Sequence, residues 1–213
     1  MLSPYGKGTL VTSLLISLLL AGAGLIFPGI VQAVFSTASV GLALFALFFF
    51  RDPSRTVPSE PNAVLAPADG RVLLIKKIAH PFTGQNSTLV SIFMSPFNVH
   101  VNRIPLQGRI AHLSYSPGKH LMAFNHASMA DNERMEIGLE NSHCRIIFSQ
   151  VAGFIARRIV CSLRVGDNVA AGSRFGMITF GSRLDIVVPE STRLTVSKGC
   201  KTVAGETVIG YVK

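Results

Sequence analysis

The first fifty residues contain a single charged side chain, and this feature most limits what the chain can fold into. That charge is Lys7, and the stretch contains no acidic residue. Thr9 to Phe27 form an uncharged run, and after Pro28-Gly29 a second apolar run extends from Ile30 to Phe50. A helix needs about 20 apolar residues to span a bilayer, and Pro-Gly favours a turn. The pattern predicts an N-terminal α-helical membrane hairpin over residues 1–50.

Two alternatives to the hairpin remain open at this point. Ala21-Gly22-Ala23 resembles a signal-peptide cleavage site, which would leave one span, although the apolar sequence continues beyond it. The leader could also be an anchor that inserts only part way. Basic residues flank the two apolar runs, with Lys7 before them and Arg51 and Arg55 after them. A hairpin would therefore leave both of its ends on the cytoplasmic side.

Residues 51–213 form a basic body that is long enough to bury its own core. The whole chain has a net charge of +9, of which Lys7 supplies one, so the body carries +8. Such a body suits an anionic membrane, whereas nucleic acid is disfavoured because no basic helix or aromatic-basic stripe occurs. Cys144, Cys161 and Cys200 form no CxxC pair, which argues against a disulfide framework and a zinc knuckle.

The body consists of short apolar segments between Gly, Pro and Asn turns, which is typical of an all-β sandwich or barrel. A short helix is predicted only within Ala152–Leu163. The fold class is therefore mainly β, a sandwich- or barrel-like body preceded by the helical hairpin. The predicted strands are Arg71–Ile78, Thr88–Met94, Arg109–Ser114, Cys144–Val151, Phe175–Phe180, Leu184–Val188, Arg193–Val196 and Thr207–Val212.

One internal repeat adds a finer feature to this fold. Gly166 and Gly172 have the same spacing as Gly199 and Gly205, 33 residues further along, and each pair precedes an apolar strand. Paired glycine turns of this kind resemble the two halves of a biotinyl/lipoyl-type β-sandwich. Two units are too few for a solenoid.

Three features of the body could carry chemistry, although each alone is more often structural. Gly181-Ser182 has the composition of a turn, but it is also the minimal substrate for backbone self-cleavage. The Ser182 hydroxyl can attack the Gly181 carbonyl, and an N-to-O acyl shift, β-elimination and hydrolysis would leave a pyruvoyl group on residue 182. Asp69 lies in an Asp-Gly turn, where its carboxylate could also hold a histidine. His100 lies between two valines and would face away from them, into a cleft or solvent.

Taken together, the motifs after the leader resemble one family closely. The chain is similar to the short bacterial (type A) phosphatidylserine decarboxylase proenzyme, which depends on a pyruvoyl group. Each motif alone is weak, whereas their order and spacing together are specific. In chain order they are Phe49-Phe50-Arg51-Asp52-Pro53 with Arg55, the run Ala66 to Gly70, the run Ser95 to Pro105, Asn132-Glu133-Arg134, the run Gln150 to Gly153 with Ala156 to Val160, and the run Arg174 to Arg183.

The resemblance implies a function and a role for each candidate residue. The enzyme would be a lyase of phospholipid biosynthesis that decarboxylates phosphatidylserine to phosphatidylethanolamine through a Schiff base to the pyruvoyl group. Ser182 would be the self-cleavage nucleophile and the source of this covalent pyruvate cofactor. The zymogen would then split at Gly181-Ser182 into a beta chain, 1–181, and an alpha chain, 182–213. His100 would activate Ser182 as a base, and Asp69 would orient His100.

Partners, location and substrate contacts also follow from the resemblance. The partners would be phosphatidylserine in an anionic membrane and the alpha and beta chains of the same proenzyme, and a homodimer is left open. Arg103 and Asn102 are candidates for substrate binding, and no metal is expected. The protein would lie in the cell inner membrane with its catalytic part on the cytoplasmic side. The head group alone does not separate phosphatidylserine from archaetidylserine.

The chain departs from the family pattern at three positions. Longer members have a second histidine three residues after the first, where this chain has Arg103. They also have an acidic residue two positions before the first histidine, where this chain has Asn98. Short forms usually have Lys where this chain has His126. One histidine could serve both maturation and decarboxylation, or the second role could fall elsewhere, and His120 and His126 are only secondary candidates for it.

Two rival functions fit the residues less well. A lysostaphin-like zinc endopeptidase also has Asp-Gly turns of this kind, but it needs HxxxD and HxH ligand sets, and His100-Val101-Asn102 breaks the second. A biotinyl/lipoyl carrier domain needs a Lys at a hairpin tip, where this chain has Gly181-Ser182. Self-cleavage at residue 182 would separate both rivals from the decarboxylase.

Overall fold

The computed structural model describes residues 1–118, 132–153, 158–179 and 182–213, and it divides the chain into two compact units. The first unit is Met1–Ser54 and the second is Arg55–Lys213. Each unit is built from one kind of secondary structure, helices in the first and strands in the second.

The first unit is a two-helix hairpin, as the sequence predicts. A 3-10 turn at Pro4–Gly6 leads into α1 (Lys7–Ile26), and α2 (Ile30–Phe49) follows after a turn at Pro28-Gly29. Gly29 has a φ of 78°, a left-handed conformation that glycine adopts without strain. Both helices are long and apolar enough to cross a membrane, by length and composition.

Two serines join the helices of the hairpin near its middle. The Ser17 hydroxyl donates to the Ser39 carbonyl at 2.8 Å, and the Ser39 hydroxyl donates to the Ser17 carbonyl at 2.7 Å. Both side chains are buried between the helices. In an apolar environment a hydroxyl needs such a partner, so this reciprocal pair fixes the register of α1 against α2.

The second unit is mainly β, which confirms the predicted fold class. A curled eight-stranded antiparallel sheet has the order β13-β2-β3-β11-β7-β6-β5-β9, and two three-stranded sheets have the orders β1-β14-β12 and β4-β10-β8. The strands are β1 Ala63–Leu65, β2 Gly70–His80, β3 Gly84–Met94, β4 Val101–Arg103, β5 Gly108–Ser116, β6 Arg134–Glu140, β7 Arg145–Ala152, β8 Arg158–Cys161, β9 Asn168–Val169, β10 Arg174–Thr179, β11 Ser182–Pro189, β12 Arg193–Leu194, β13 Lys201–Thr202 and β14 Val208–Tyr211.

The main core lies on one face of the large sheet. Strand β11 is central and alternates, so Leu184, Ile186 and Val188 point into this core with the facing residues of β3 and β7. Phe148 and Phe175 pack edge to face there, with ring centroids 5.1 Å apart. The first residue of β11 is Ser182, which the same alternation directs to the core side.

Each of the eight predicted strands falls on an observed strand, and the predicted helix is wrong where the structure describes it. Arg158–Cys161, inside the predicted helix Ala152–Leu163, is strand β8 and pairs with β10. Ile159 and Val160 are β-branched and suit this pairing. Residues 154–157 of the predicted helix, and Phe180 at the end of one predicted strand, lie outside the described residues. Strands β1, β4, β6, β9 and β13 were not predicted.

All four glycines of the internal repeat adopt a left-handed backbone. The φ angles of Gly166, Gly172, Gly199 and Gly205 are 99°, 75°, 91° and 75°. This explains why glycine occurs at each position, because other residues rarely adopt such angles. The comparison with biotinyl/lipoyl domains stays a prediction.

Candidate active site

Ser182 lies in the middle of the large sheet, at the first position of β11. It pairs with Met94 at the end of β3 on one side and with Ala152 at the end of β7 on the other. Its side chain is fully buried, and its hydroxyl donates to the Met94 sulfur at 3.3 Å. A thioether is a weak acceptor, so this contact positions the hydroxyl without holding its proton tightly.

A chain of buried polar groups extends from Met94 to the neighbouring sheet. The Asn102 amide lies 3.8 Å from the Met94 sulfur, and the Gln150 amide donates to Asn102 Oδ1 at 2.9 Å and to the Val160 carbonyl at 3.2 Å. All three side chains are fully buried. The predicted substrate residue Asn102 and the predicted nucleophile Ser182 therefore contact the same sulfur atom.

His100 is fully buried just before β4, and its ring is held by backbone. Nδ1 lies 2.9 Å from the carbonyl oxygen of Asn98. A carbonyl can only accept, so Nδ1 carries a proton in this contact, which leaves Nε2 as the ring atom that can act as a base. A base needs this tautomer. The Asn98 side chain in turn accepts from the Ser95 amide at 2.9 Å, which closes the turn before His100.

Asp69 makes its hydrogen bonds with an arginine and a backbone amide. Arg55 Nη2 lies 3.0 Å from Oδ1 and 2.8 Å from Oδ2, and the Ala204 amide donates to Oδ1 at 2.8 Å. The Arg55 and Asp69 side chains are only 11% and 13% exposed, and the Glu206 carboxylate lies 3.9 Å from Nη1, the other terminal nitrogen of Arg55. Asp69 thus joins the segment before β1 to the turn after β13, while His100 is held by Asn98. The predicted pairing of Asp69 with His100 stays a prediction.

Arg103 is buried rather than displayed on the surface. Its Nη1 donates to the Gly172 carbonyl at 2.9 Å, and its backbone amide donates to the Pro67 carbonyl at 2.9 Å. A Cβ on Gly205 would lie 2.9 Å from Arg103 Cδ. This guanidinium is therefore packed against two glycine turns of the repeat, and its predicted contact with substrate stays a prediction.

Three residues named from the sequence lie outside the described part of the chain. They are Gly181, on which the predicted cleavage falls, and the secondary candidates His120 and His126. Within the described ranges, no group of three or more His, Cys, Asp and Glu residues is arranged to hold a metal ion.

Four residues of the site received no role from the sequence. They are Met94, Gln150, Arg55 and Asn132, whose side-chain amide donates to the Ala152 carbonyl at 2.9 Å, opposite Ser182. Gln150, Arg55 and Asn132 lie inside the motifs that carry the family resemblance, and Met94 directly precedes the Ser95–Pro105 run. That signal could have marked them, but their contacts depend on strand register.

The comparisons with known proteins agree with one another. The sequence model of a family described as phosphatidylserine decarboxylase matches residues 42–210. A protein from Prosthecochloris aestuarii is 58% identical over 209 residues, covering 98% of this chain and 96% of its own length. Relatives from Chlorobium luteolum and Chlorobaculum parvum are 55% and 54% identical, covering 98% and 99% of this chain and 99% of their own length. All three are named phosphatidylserine decarboxylase proenzyme.

Proposed function

Since the chain belongs to the phosphatidylserine decarboxylase family, we propose that Ser182 is the residue at which it cuts itself and forms its pyruvoyl group. The chain decarboxylates phosphatidylserine to phosphatidylethanolamine, with a pyruvoyl group formed by autocatalytic cleavage of the proenzyme. The observation that carries the assignment is the position of Ser182, a buried hydroxyl at the first residue of the central strand.

The position of Ser182 fits a group formed by cleavage before this residue. Strand β11 pairs from Ser182 onward with β3 over eight positions and with β7 over six. Cleavage between residues 181 and 182 leaves all of these pairings intact, so the new chain terminus stays in the sheet. The 182–213 piece is also held by β14 against β1 and by the Ala204 amide on Asp69. The alpha and beta chains therefore stay together without a covalent link.

The geometry of His100 supports its role as the base for cleavage. The carbonyl of Asn98 fixes the proton on Nδ1, so Nε2 is the atom that takes the proton of the Ser182 hydroxyl as its oxygen attacks the Gly181 carbonyl. Met94 keeps the hydroxyl inside the sheet until then, and because sulfur is a weak acceptor, little is lost when the proton leaves. Asn98 thereby performs through its backbone the orienting task that a carboxylate performs in a catalytic triad.

Asp69 acts in this proposal as a positioning residue. Its carboxylate fixes Arg55 and the turn at Ala204, and it precedes β2, the strand beside β3. Through these contacts it holds the frame that carries Met94 and the turn before His100. Direct orientation of His100 by Asp69 is the alternative role, and it predicts a different result when Asp69→Asn is combined with Arg55→Leu.

Once formed, the pyruvoyl ketone supplies an electron sink for the electrons that remain as carbon dioxide leaves the lipid. Asn102 is the better placed of the two substrate candidates. Its Oδ1 is occupied by Gln150, whereas its amide N–H groups have only the distant Met94 sulfur as a described partner. These N–H groups can donate to the serine carboxylate of the substrate. Arg103 lies next to Asn102 on β4 and holds the Gly172 carbonyl.

The setting of the reaction follows from the two parts of the chain. Residues 1–50 are the membrane anchor and residues 51–213 the decarboxylase domain. The two apolar helices and the basic body support an inner-membrane location with the domain on the cytoplasmic side, against an anionic leaflet.

The experiment that tests the site is a comparison of His100→Ala with His112→Ala. His112, on β5, is a matched control, because its side chain is 43% exposed and its Nε2 lies 3.5 Å from the carboxylate of Glu136 on β6. We expect His100→Ala to remain a single chain and His112→Ala to cleave and to convert phosphatidylserine in mixed micelles as the unaltered protein does. Normal cleavage of His100→Ala would overturn the role of His100.

A further inference from the structure

Phe97 is a large aromatic residue displayed on the surface beside the site. Its side chain is 72% exposed, more than that of any other large hydrophobic residue among the described residues of the body. It lies three residues after Met94 and three before His100, both of which are fully buried. A single exposed aromatic side chain is common on protein surfaces, and what distinguishes Phe97 is its position on a turn between two buried site residues.

The turn that displays Phe97 is rigid. The Ser95 amide donates to the Asn98 side chain at 2.9 Å, and the Asn98 amide donates back to the Ser95 carbonyl at 2.9 Å. Pro96 fixes its own φ angle within this closed turn. Little conformational entropy is therefore lost when Phe97 binds a partner, because the turn is already formed.

This turn lies at the end of the central strands, the same end at which Ser182 lies. Strand β3 ends at Met94, directly before the turn, and Met94 pairs with Ser182 at the start of β11. Strand β7 ends at the same edge, since Ala152 pairs with Ser182 from the other side. We refer to this end of the strands as the Ser182 edge.

Basic side chains surround the Ser182 edge. Arg134 is the first residue of β6 and pairs with Val151, and Arg71 on β2 pairs with Phe93. Arg158 on β8 pairs with Thr179, which lies three residues before Ser182 in the sequence. Arg71 and Arg158 are exposed and Arg134 is half-buried. Glu133, directly before Arg134, is acidic, and its carboxylate accepts from the Tyr115 hydroxyl at 3.0 Å. Asp69, two residues before Arg71, is paired with Arg55. The edge thus combines an exposed aromatic residue with an excess of positive charge.

We propose that the Phe97 turn inserts into the surface of an anionic bilayer and presents the Ser182 edge to its lipids. An aromatic ring on a rigid turn flanked by arginines has the chemistry of a membrane-interface anchor, in which the ring enters the acyl boundary and the cations meet the headgroups. The inference rests on the proposed function, because a lipid substrate has to pass from the bilayer to Ser182. Phe97 shortens that passage by bringing the edge to the bilayer surface.

Fluorescence gives a test that does not depend on activity. The chain contains no Trp, so Phe97→Trp introduces a unique indole. The full-length variant is placed in nanodiscs of phosphatidylcholine and phosphatidylglycerol, with and without bromine on the acyl chains. We expect blue-shifted emission that the bromine quenches.

Val165→Trp is the matched control. Val165 is 60% exposed. The neighbouring Gly166 amide donates to the carbonyl of Ile110, which pairs with Leu139 at the end of β5 and β6 opposite to the Ser182 edge. This indole should emit as in water and remain unquenched. Equal emission and quenching of the two variants would overturn the proposal. Blue-shifted emission of Phe97→Trp that bromine does not quench would put protein rather than lipid against the turn, and would overturn it too.

Turnover separates this proposal from the proposed function. We expect Phe97→Ser to self-cleave normally, to keep its turnover of a monomeric short-chain phosphatidylserine, and to lose roughly tenfold in kcat/KM on bilayer phosphatidylserine, as loss of one buried aromatic contact predicts. Equal losses on both substrates would contradict the docking role. Absence of cleavage in the unaltered protein would instead overturn the proposed function, and the fluorescence result would still decide the docking.

Discussion

Replacing Asp69 with Asn removes the charge that holds Arg55 and should strongly destabilise the body. Breaking a buried ion pair from one side costs about 3–5 kcal/mol, because the remaining charge is left without compensation. Here both side chains retain 11–13% exposure and Glu206 lies 3.9 Å from Arg55, so we expect the lower end, about 3 kcal/mol. With a urea dependence of about 1–3 kcal/mol per molar, the unfolding midpoint should fall by at least about 1 M.

The assay is urea unfolding of the full chain in nanodiscs, with Ser182→Ala in every sample so that no chain is cleaved. Arg55→Leu should also lower the free energy of unfolding. The double variant Arg55→Leu with Asp69→Asn should lose over about 1 kcal/mol less than the sum of the two single losses. Additive effects within about 0.5 kcal/mol would refute the ion-pair reasoning.

The same double variant with Ser182 retained separates the two roles of Asp69. If Asp69 acts through Arg55 and the Ala204 turn, Asp69→Asn alone should cleave slowly, and adding Arg55→Leu should restore much of the rate together with the stability. If Asp69 orients His100 directly, stability returns but cleavage does not. Intact mass against time measures the rate.

In the hairpin, Ser17→Cys with Ser39→Cys should form a disulfide on mild oxidation, seen as the loss of two hydrogens in peptide mass, and moving the first cysteine one helical turn earlier should abolish it. Burial raises the pKa of Cys161 and raises that of Cys144 to about 11, whereas hydrogen bonds from Ser197 lower the pKa of Cys200. Iodoacetamide at pH 8 should therefore label the 182–213 piece first, and faster labelling of the 1–181 piece would contradict this. Gly176→Ala should separate β10 from β8, because the added Cβ would lie 2.1 Å from the Val160 carbonyl oxygen. A decrease of less than about 1 kcal/mol in the free energy of urea unfolding would contradict this close approach.

The sequence predicts the parts of the fold that local pattern controls. Hydropathy marks both helices and Pro-Gly marks their turn, while the long apolar runs of β3 and β11 mark the central strands. Strands β4, β9 and β13 have only two or three residues, too few for a period to appear. At β8 a helix was predicted although Ile159 and Val160 favour a strand, because four residues are too few to show an alternating pattern, and the pairing with β10 confirms the strand.

The candidate site shows the same division. Ser182, His100 and Asp69 were named because the motifs around them resemble those of a family. The contact of Met94 with Ser182 spans 88 residues and depends on the register of β3 against β11, which sequence pattern does not fix. The partner of Asp69 also depends on tertiary structure, since Arg55 reaches it from a segment without strand or helix.

The central claim is that the chain cuts itself before Ser182 and converts this residue to a pyruvoyl group. Intact mass of the purified full-length protein, measured beside Ser182→Ala, tests it most directly. The account predicts two pieces, 1–181 and 182–213, with the smaller lighter than simple hydrolysis requires by one ammonia, and a single uncut chain for Ser182→Ala. A single uncut chain in both samples, or cleavage at another peptide bond, would contradict it.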